Sequence, residues 1–169
     1  MATTSDLLLD AFSRVRETVR SVLDDTPENR LADPPAEGAN TVAWLVWHLS
    51  RILDDHLARA FGREQVWTTD GWYDRFALPF GPEAHGYGHS EQDVLRVRVP
   101  AADLRGYHDA VQDAAASMLA DVTDADLDRV VDENWDPPVT LAARLVSVVN
   151  DTTQHAGQAA YASGILSRR

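Results

Sequence analysis

Apolar positions recur along this chain at three- and four-residue spacing, and no segment sustains alternation by two, so the pattern predicts helices rather than a sheet. Leu8, Leu9, Phe12, Val15, Val19 and Leu23 line one face of a first helix over residues 5–23, with Ser5 as the expected N-cap. Residues 24–40 hold Pro27, Pro34, Pro35 and Gly38 and read as a connector. A second helix is expected over 41–61, stopped by Gly62. Residues 63–89 then form a long irregular loop whose aromatic cluster, Trp67, Trp72, Tyr73, Phe76 and Phe80, argues against disorder. Ser90 and Asp93 make a capping pair for a short helix ending before Pro100. A third long helix covers 101–122, and one or two further turns reach residue 131 before Asn134, Pro137 and Pro138 break the chain. The fourth long helix spans 140–163, with Gly164 just past its end. The sum is an all-α, single-domain chain over 1–169, a four-helix bundle with a long crossover between the second and third helices.

Composition narrows the chemistry. A length of 169 residues with 44% hydrophobic content suits one domain with a real core. No apolar stretch approaches the roughly 20 residues of a membrane span. The opening MATTSDLLLDAF lacks the basic start of a signal peptide, so a cytoplasmic location is expected. The net charge of −12 argues against a nucleic-acid partner. There is no cysteine, and all 15 basic residues are Arg. Thiolate ligands, a cysteine nucleophile, Schiff-base chemistry and a P-loop lysine are therefore excluded. His, Asp, Glu, Arg, Tyr, Ser and Thr remain, a set suited to metal chemistry.

In the second helix Val42, Leu45, Leu49, Ile52 and Leu53 define the apolar stripe, with His48 on its edge in line with Trp44 and Asp55, and His56 nearer its middle. In the fourth, Leu141, Leu145, Val148, Thr152 and Ala159 face inward, and Asp151 and His155 flank them. The i, i+4 spacing puts those two side chains about 6 Å apart along the axis on one face, where they can grip one ion. His48 is the third ligand candidate, leaving an open site. Spacing alone equally allows a solvated or mutually hydrogen-bonded Asp–His pair and a satisfied core histidine.

The segments WLVWHLSRILDDHL (44–57), GWYDRFALPFG (71–81), GYGHS (86–90) and DTTQHAGQAAYASGIL (151–166) resemble the DinB/YfiT-like superfamily, and more narrowly its actinobacterial branch associated with mycothiol transferases. The resemblance covers nearly the whole chain. It implies an up-down-down-up bundle, a homodimer, and a divalent metal on one His of the second helix and an H/E-x-x-x-H pair of the fourth, here His48, Asp151 and His155. Asp151 departs from the His or Glu of related proteins, and its shorter stem needs a closer backbone. Zn²⁺ is the first choice of metal, with Ni²⁺, Mn²⁺ and Fe²⁺ also suited to such ligands. Without a cysteine of its own, the chain would take its thiol from a small cosubstrate: mycothiol in that branch, bacillithiol or glutathione in others. The reaction implied is metal-dependent S-transfer of the thiol to an electrophile. The alternatives are a non-catalytic metal or ligand carrier, and a bundle whose His and Asp serve only its structure.

Four residues are substrate-side candidates. Asp55 lies about 10 Å from His48 by helix rise, too far to share one ion. Arg75 in the loop suits an anionic substrate. His89 could reach an open metal position if the loop closes, and Gln158 belongs to the segment that follows His155. His56, His85 and His108 are expected to be structural or surface groups. Trp67, Trp72, Tyr73 and Phe76 are loop anchors first and pocket walls second.

Overall fold

Each long periodic segment is a helix in the computed structural model, which describes residues 1–168. α1 (Thr4–Asp25) is capped by Thr3 rather than Ser5: the Thr3 hydroxyl accepts from the Asp6 amide, and the Asp6 carboxylate accepts from the Thr3 amide. Ser5 is buried inside the first turn and donates to the Ala120 carbonyl. α2 (Val42–Phe61) starts at Thr41, whose side chain takes the Trp44 amide, and stops at Gly62 in the left-handed region. The segment expected to be irregular contains two short helices, α3 (Val66–Thr69) and α4 (Trp72–Phe76). α5 (Glu91–Arg96) has the expected Ser90–Asp93 capping box, and α6 (Ala101–Leu119) follows.

Two boundaries differ from the sequence pattern. Beyond α6 only a 3-10 turn forms, at Asp124–Asp126, and the chain then makes a small antiparallel hairpin of β1 (Val130–Asp132) and β2 (Val139–Thr140). Val130, Val131 and Val139 favour extended backbone, and the polar turn between the strands brings them together. α7 (Leu141–Leu166) runs straight through Gly164. Ala162, Ser163 and Leu166 are buried, and that packing outweighs a helical glycine's cost of about 1 kcal/mol.

Contacts between helices fix their order. Arg16 pairs with Asp109 and Asp113, and Arg105 with Asp24, so α1 runs against α6. Thr26 donates to Ser163, and Ser167 to the Asp25 carbonyl, so α1 and α7 end together. His48 meets His155 while His56 meets Arg144, so α2 runs against α7. The bundle is therefore up-down-down-up. Helices α2 and α6 are parallel, and the segment 62–100 must carry the chain back along the bundle. That segment covers the outer face of α2, where only His56, Arg59 and Phe61 escape burial. The single-stripe description of α2 is thus too narrow. No described helix is long and apolar enough to cross a membrane.

Candidate metal centre

Where α2 and α7 face each other, His48, Asp151 and His155 each offer one ligand atom, and the three atoms lie within 4.8 Å of one another. The two imidazoles are 4.6 Å apart between centroids and 76° from coplanar. His48 is buried, while Asp151 and His155 are half-buried. Trp44, one turn before His48, stacks on it at 4.6 Å and 10°, and meets His155 edge-on at 6.4 Å. His48 Nδ1 donates to the His85 carbonyl in the crossover, and His155 Nδ1 donates to the Asp151 carbonyl at 2.9 Å. A carbonyl only accepts, so both Nδ1 atoms carry the proton and both Nε2 atoms keep a lone pair. Backbone carbonyls that fix the tautomer in this way are the usual support of metal-binding histidines. Gly86 makes the His85 contact possible. Its φ is +99°, and an added Cβ would stand 2.7 Å from His48 Nδ1 and 3.0 Å from the Trp44 ring.

The donor set fits a cation. Asp151 Oδ1 is buried without a hydrogen-bond partner among the described residues, although His155 Nδ1 lies 3.2 Å away, off the line of its own hydrogen bond. The other buried unpartnered atoms are the indole N–H donors of Trp47, Trp67 and Trp72. Asp151 is thus the acceptor left over, and such a group is normally answered by a donor or an ion. Burial lowers His48 to about 4, with the neighbouring His155 adding to the effect, so it is neutral near pH 7. Burial opposes the charge on Asp151, but His155 and then His48 prevail and hold its carboxyl below the ordinary range. Burial likewise pulls His155 down, and Asp151 more than reverses it.

The remaining candidates separate. His89 lies beside the group: its Nδ1 accepts from the Trp44 indole N–H at 3.2 Å, and its ring packs between Trp47 and Phe80. Gln158 is exposed on α7, one turn beyond His155, in an apolar groove of about 610 Å³ with Leu45, Tyr161 and Ile165. Arg75 points elsewhere, pairing with Asp103 on α6 at 2.5 Å and covering the Trp72 ring. Asp55 is buried between Gln65, which donates to it at 2.9 Å, and Arg59 at 3.2 Å. Asp55 is engaged by the crossover and Arg75 by α6, so neither belongs to the metal group. His108 is structural, fully buried against the Ser50 hydroxyl and Gln112. His56 is only partly buried, beside Arg144.

Arg51 and Asp54 were not apparent from the sequence as site-shaping residues. The Arg51 guanidinium is fully buried over the Trp67 ring and donates to the carbonyls of Ala84 and Pro82 and to Gln65. Asp54 accepts from the amides of Val66 and Trp67 and from the Tyr107 hydroxyl. The signal available was two charged residues, at i+3 and i+6 from His48, on a helix otherwise rich in apolar residues.

A helical bundle with a His–Asp–His group between antiparallel helices is the class of protein that the fold and site define. The sequence model of the DinB superfamily matches residues 11–159, and the chain belongs to that superfamily. A crystal structure described as that of the conserved protein of locus from Enterococcus faecalis is similar over 100% of both chains, with a TM-score of 0.92 and 28% identity. No curated protein matches the chain.

Proposed function

We propose that the chain holds one divalent metal ion on His48, Asp151 and His155 and presents a low-molecular-weight thiol for transfer to an electrophile, as in the mycothiol-using branch of the superfamily. The observation that carries this reading is that one ligand atom from each of His48, Asp151 and His155 lies within 4.8 Å of the others, while Asp151 keeps a buried oxygen without a hydrogen-bond partner. Zn²⁺ is the expected ion, and Ni²⁺, Mn²⁺ and Fe²⁺ suit the same donors. Bound there, such an ion lowers the pKa of a thiol or water it holds, giving a nucleophile at neutral pH. The protein's own residues supply the setting. Asp151 contributes negative charge, Trp44 stacked on His48 keeps water from that side, and the carbonyls of His85 and Asp151 hold the imidazoles in one tautomer. The thiol comes from outside, because the chain has no cysteine. A cytoplasmic homodimer belongs to the same reading, and the net charge of −12 argues against nucleic-acid partners.

One observation favours a second reading, a non-catalytic metal or ligand carrier: Asp55 and Arg75 are both held in ion pairs away from the metal group. Two measurements decide. Metal analysis by mass spectrometry on untagged protein purified without chelator should find one divalent ion per chain, and His155→Ala should abolish it; tight binding by that variant would refute the assigned ligands. Metal-loaded and stripped protein should then be compared on electrophiles with mycothiol, bacillithiol and glutathione. Turnover by the loaded form alone supports the transferase, equal rates overturn the mechanism, and silence across the panel favours the carrier. His48→Ala should keep its helix content and lose any transfer.

A further inference from the structure

The groove that holds Gln158 has α7 on one side and the connector between α1 and α2 on the other. Residues 154–165 of α7 and 35–40 of the connector line it, together with Leu45 of α2. The connector is held in place. The Ala39 amide donates to the Ala36 carbonyl at 3.1 Å, the Gly38 amide to the Glu91 carboxylate at 3.3 Å, and the Ala43 amide to the Leu31 carbonyl at 2.9 Å. The groove is thus formed by the chain itself, and its volume of about 610 Å³ lies within the range of small-molecule sites. Leu45 and Gln158 stand three residues from His48 and His155, so the groove adjoins the metal group, but a ligand in it needs no ion.

Charge sets this groove apart. Charged residues make up 25% of the chain, yet none lines the groove. Four other concavities of the surface each include charged side chains, among them Glu17, Asp124, Arg59 and Arg14. The polar side chains here are Asn40, Gln154, Gln158 and Tyr161, and the Tyr161 ring is 75% exposed. Among the described residues Gln154 makes one long hydrogen bond, to the Asn150 carbonyl at 3.4 Å, and the carboxamides of half-buried Asn40 and exposed Gln158 make none. An ionised ligand would lose water here and gain no counter-charge. A wholly apolar one would strip water from carboxamides that have nothing else to bond. A carboxamide offers a donor beside an acceptor, and a ligand edge with the same pair reversed answers both at once. We propose that this groove binds an uncharged aromatic ring with a donor and an acceptor side by side on its edge, as in an aryl carboxamide, its faces on Tyr161 and Leu45 and its edge on Asn40 and Gln158. The site stands whether or not the chain is a transferase.

Three probes built on one ring system test the proposal: naphthalene-2-carboxamide, naphthalene-2-carboxylate and naphthalene. Their binding to metal-stripped full-length protein, read by calorimetry, involves neither ion nor thiol, so its outcome is separate from that of the proposed function. The carboxamide should bind about tenfold more tightly than either of the others, the difference that one or two hydrogen bonds make. Gln158→Leu should weaken the carboxamide and leave naphthalene unchanged. Ala36→Trp, at an exposed lining position, should fill the groove and abolish binding with an unchanged circular dichroism spectrum. Carboxylate or naphthalene binding as tightly as the carboxamide, no binding of any probe, or indifference to Ala36→Trp would overturn the site. So would a dimer that Ala36→Trp or Tyr161→Ala splits into monomers, because a second copy of the chain would then be the groove's occupant.

Discussion

Helix α2 carries two buried polar clusters, three residues apart in sequence and opposite in character. On the α6 side Arg51, Asp54, Gln65 and Tyr107 answer one another and the backbone: Asp54 accepts three hydrogen bonds, and Arg51 donates to two carbonyls, a side-chain amide and the Tyr107 oxygen. On the α7 side His48 and His155 are oriented by carbonyls, yet the Asp151 carboxylate between them keeps an unanswered oxygen. The first cluster is closed and the second keeps an open acceptor. A closed network holds structure, here the crossover against α2, whereas an open one in a buried setting marks a place for a ligand. The two are coupled through the chain. Arg51 grips the carbonyls of Pro82 and Ala84, immediately before the His85 carbonyl that orients His48.

The contrast breaks most sharply on removal of one carboxylate from each cluster. Asp54→Ala leaves Arg51 buried without its counter-charge and two crossover amides unpaired, so it should cost about 3–5 kcal/mol of stability in urea titration. Asp151→Ala in metal-stripped protein removes an unsatisfied acceptor and should shift stability by no more than about 0.5 kcal/mol. A loss on the α7 side matching that on the α6 side would show that both clusters are structural. Adding the ion reverses the ranking. Zn²⁺ at a hundred times its dissociation constant should stabilise the wild type by about 2.7 kcal/mol, and Asp151→Ala should show almost none of that gain. An equal gain in the variant would remove Asp151 from the ligand set.

The open cluster was legible in the sequence and the closed one was not. Two ligands at i, i+4 on one helix and a lone His facing them are a local pattern, visible once the helices are drawn. The partners of Arg51 and Asp54 come from α6 and from a crossover whose path no periodicity encodes, so the sequence pattern marks neither residue. The same cause explains Asp55 and Arg75, whose side chains were expected to face a substrate. Residues 64–66 fold back over Asp55, and α4 lies against α6 where Asp103 waits for Arg75. The hairpin leaves no sequence signal because strands of three and two residues are too short to show a period. The helix-to-Leu166 extension escaped because Gly164 looked like a stop where burial on α1 mattered more.

The buried histidines of α2 and α6 extend the contrast to pH. Burial holds His108 at about 3 in the folded protein, far below 6.5 when unfolded, with Asp109 opposing and Arg16 and Arg20 adding to the shift. Between those values the unfolded chain binds the extra proton. Stability therefore rises with pH there and is lost as pH falls below about 6.5, by up to about 1.4 kcal/mol per pH unit. His48 adds the same sign down to about 4. In stripped protein His108→Gln should lower the slope between pH 6 and pH 4.5 by up to one proton, leaving the part due to His48. An unchanged slope would mean that His108 is protonated within the fold.

A last substitution tests how the open cluster is held. Gly86 sits at φ +99°, where an added Cβ would meet His48, Trp44 and Trp47, at a point where the crossover supports the metal group. Gly86→Ala places a methyl group 2.7 Å from His48 Nδ1 in a backbone conformation that alanine resists, at a local cost of about 1–2 kcal/mol. The bundle core is untouched, so the unfolding midpoint should fall only slightly. The His85 carbonyl, however, must move away from Nδ1, and the imidazole loses its fixed tautomer. Loss of such a supporting contact weakens metal binding by about 10–100-fold. Competition with a chromophoric chelator measures that affinity, and the nitrogen chemical shifts of His48 report which ring nitrogen carries the proton. Weakened binding with a mixed tautomer would establish that the crossover sets the ligand's orientation. Wild-type affinity in Gly86→Ala would show that α2 and α7 suffice, and that the closed cluster beneath the crossover serves the fold alone.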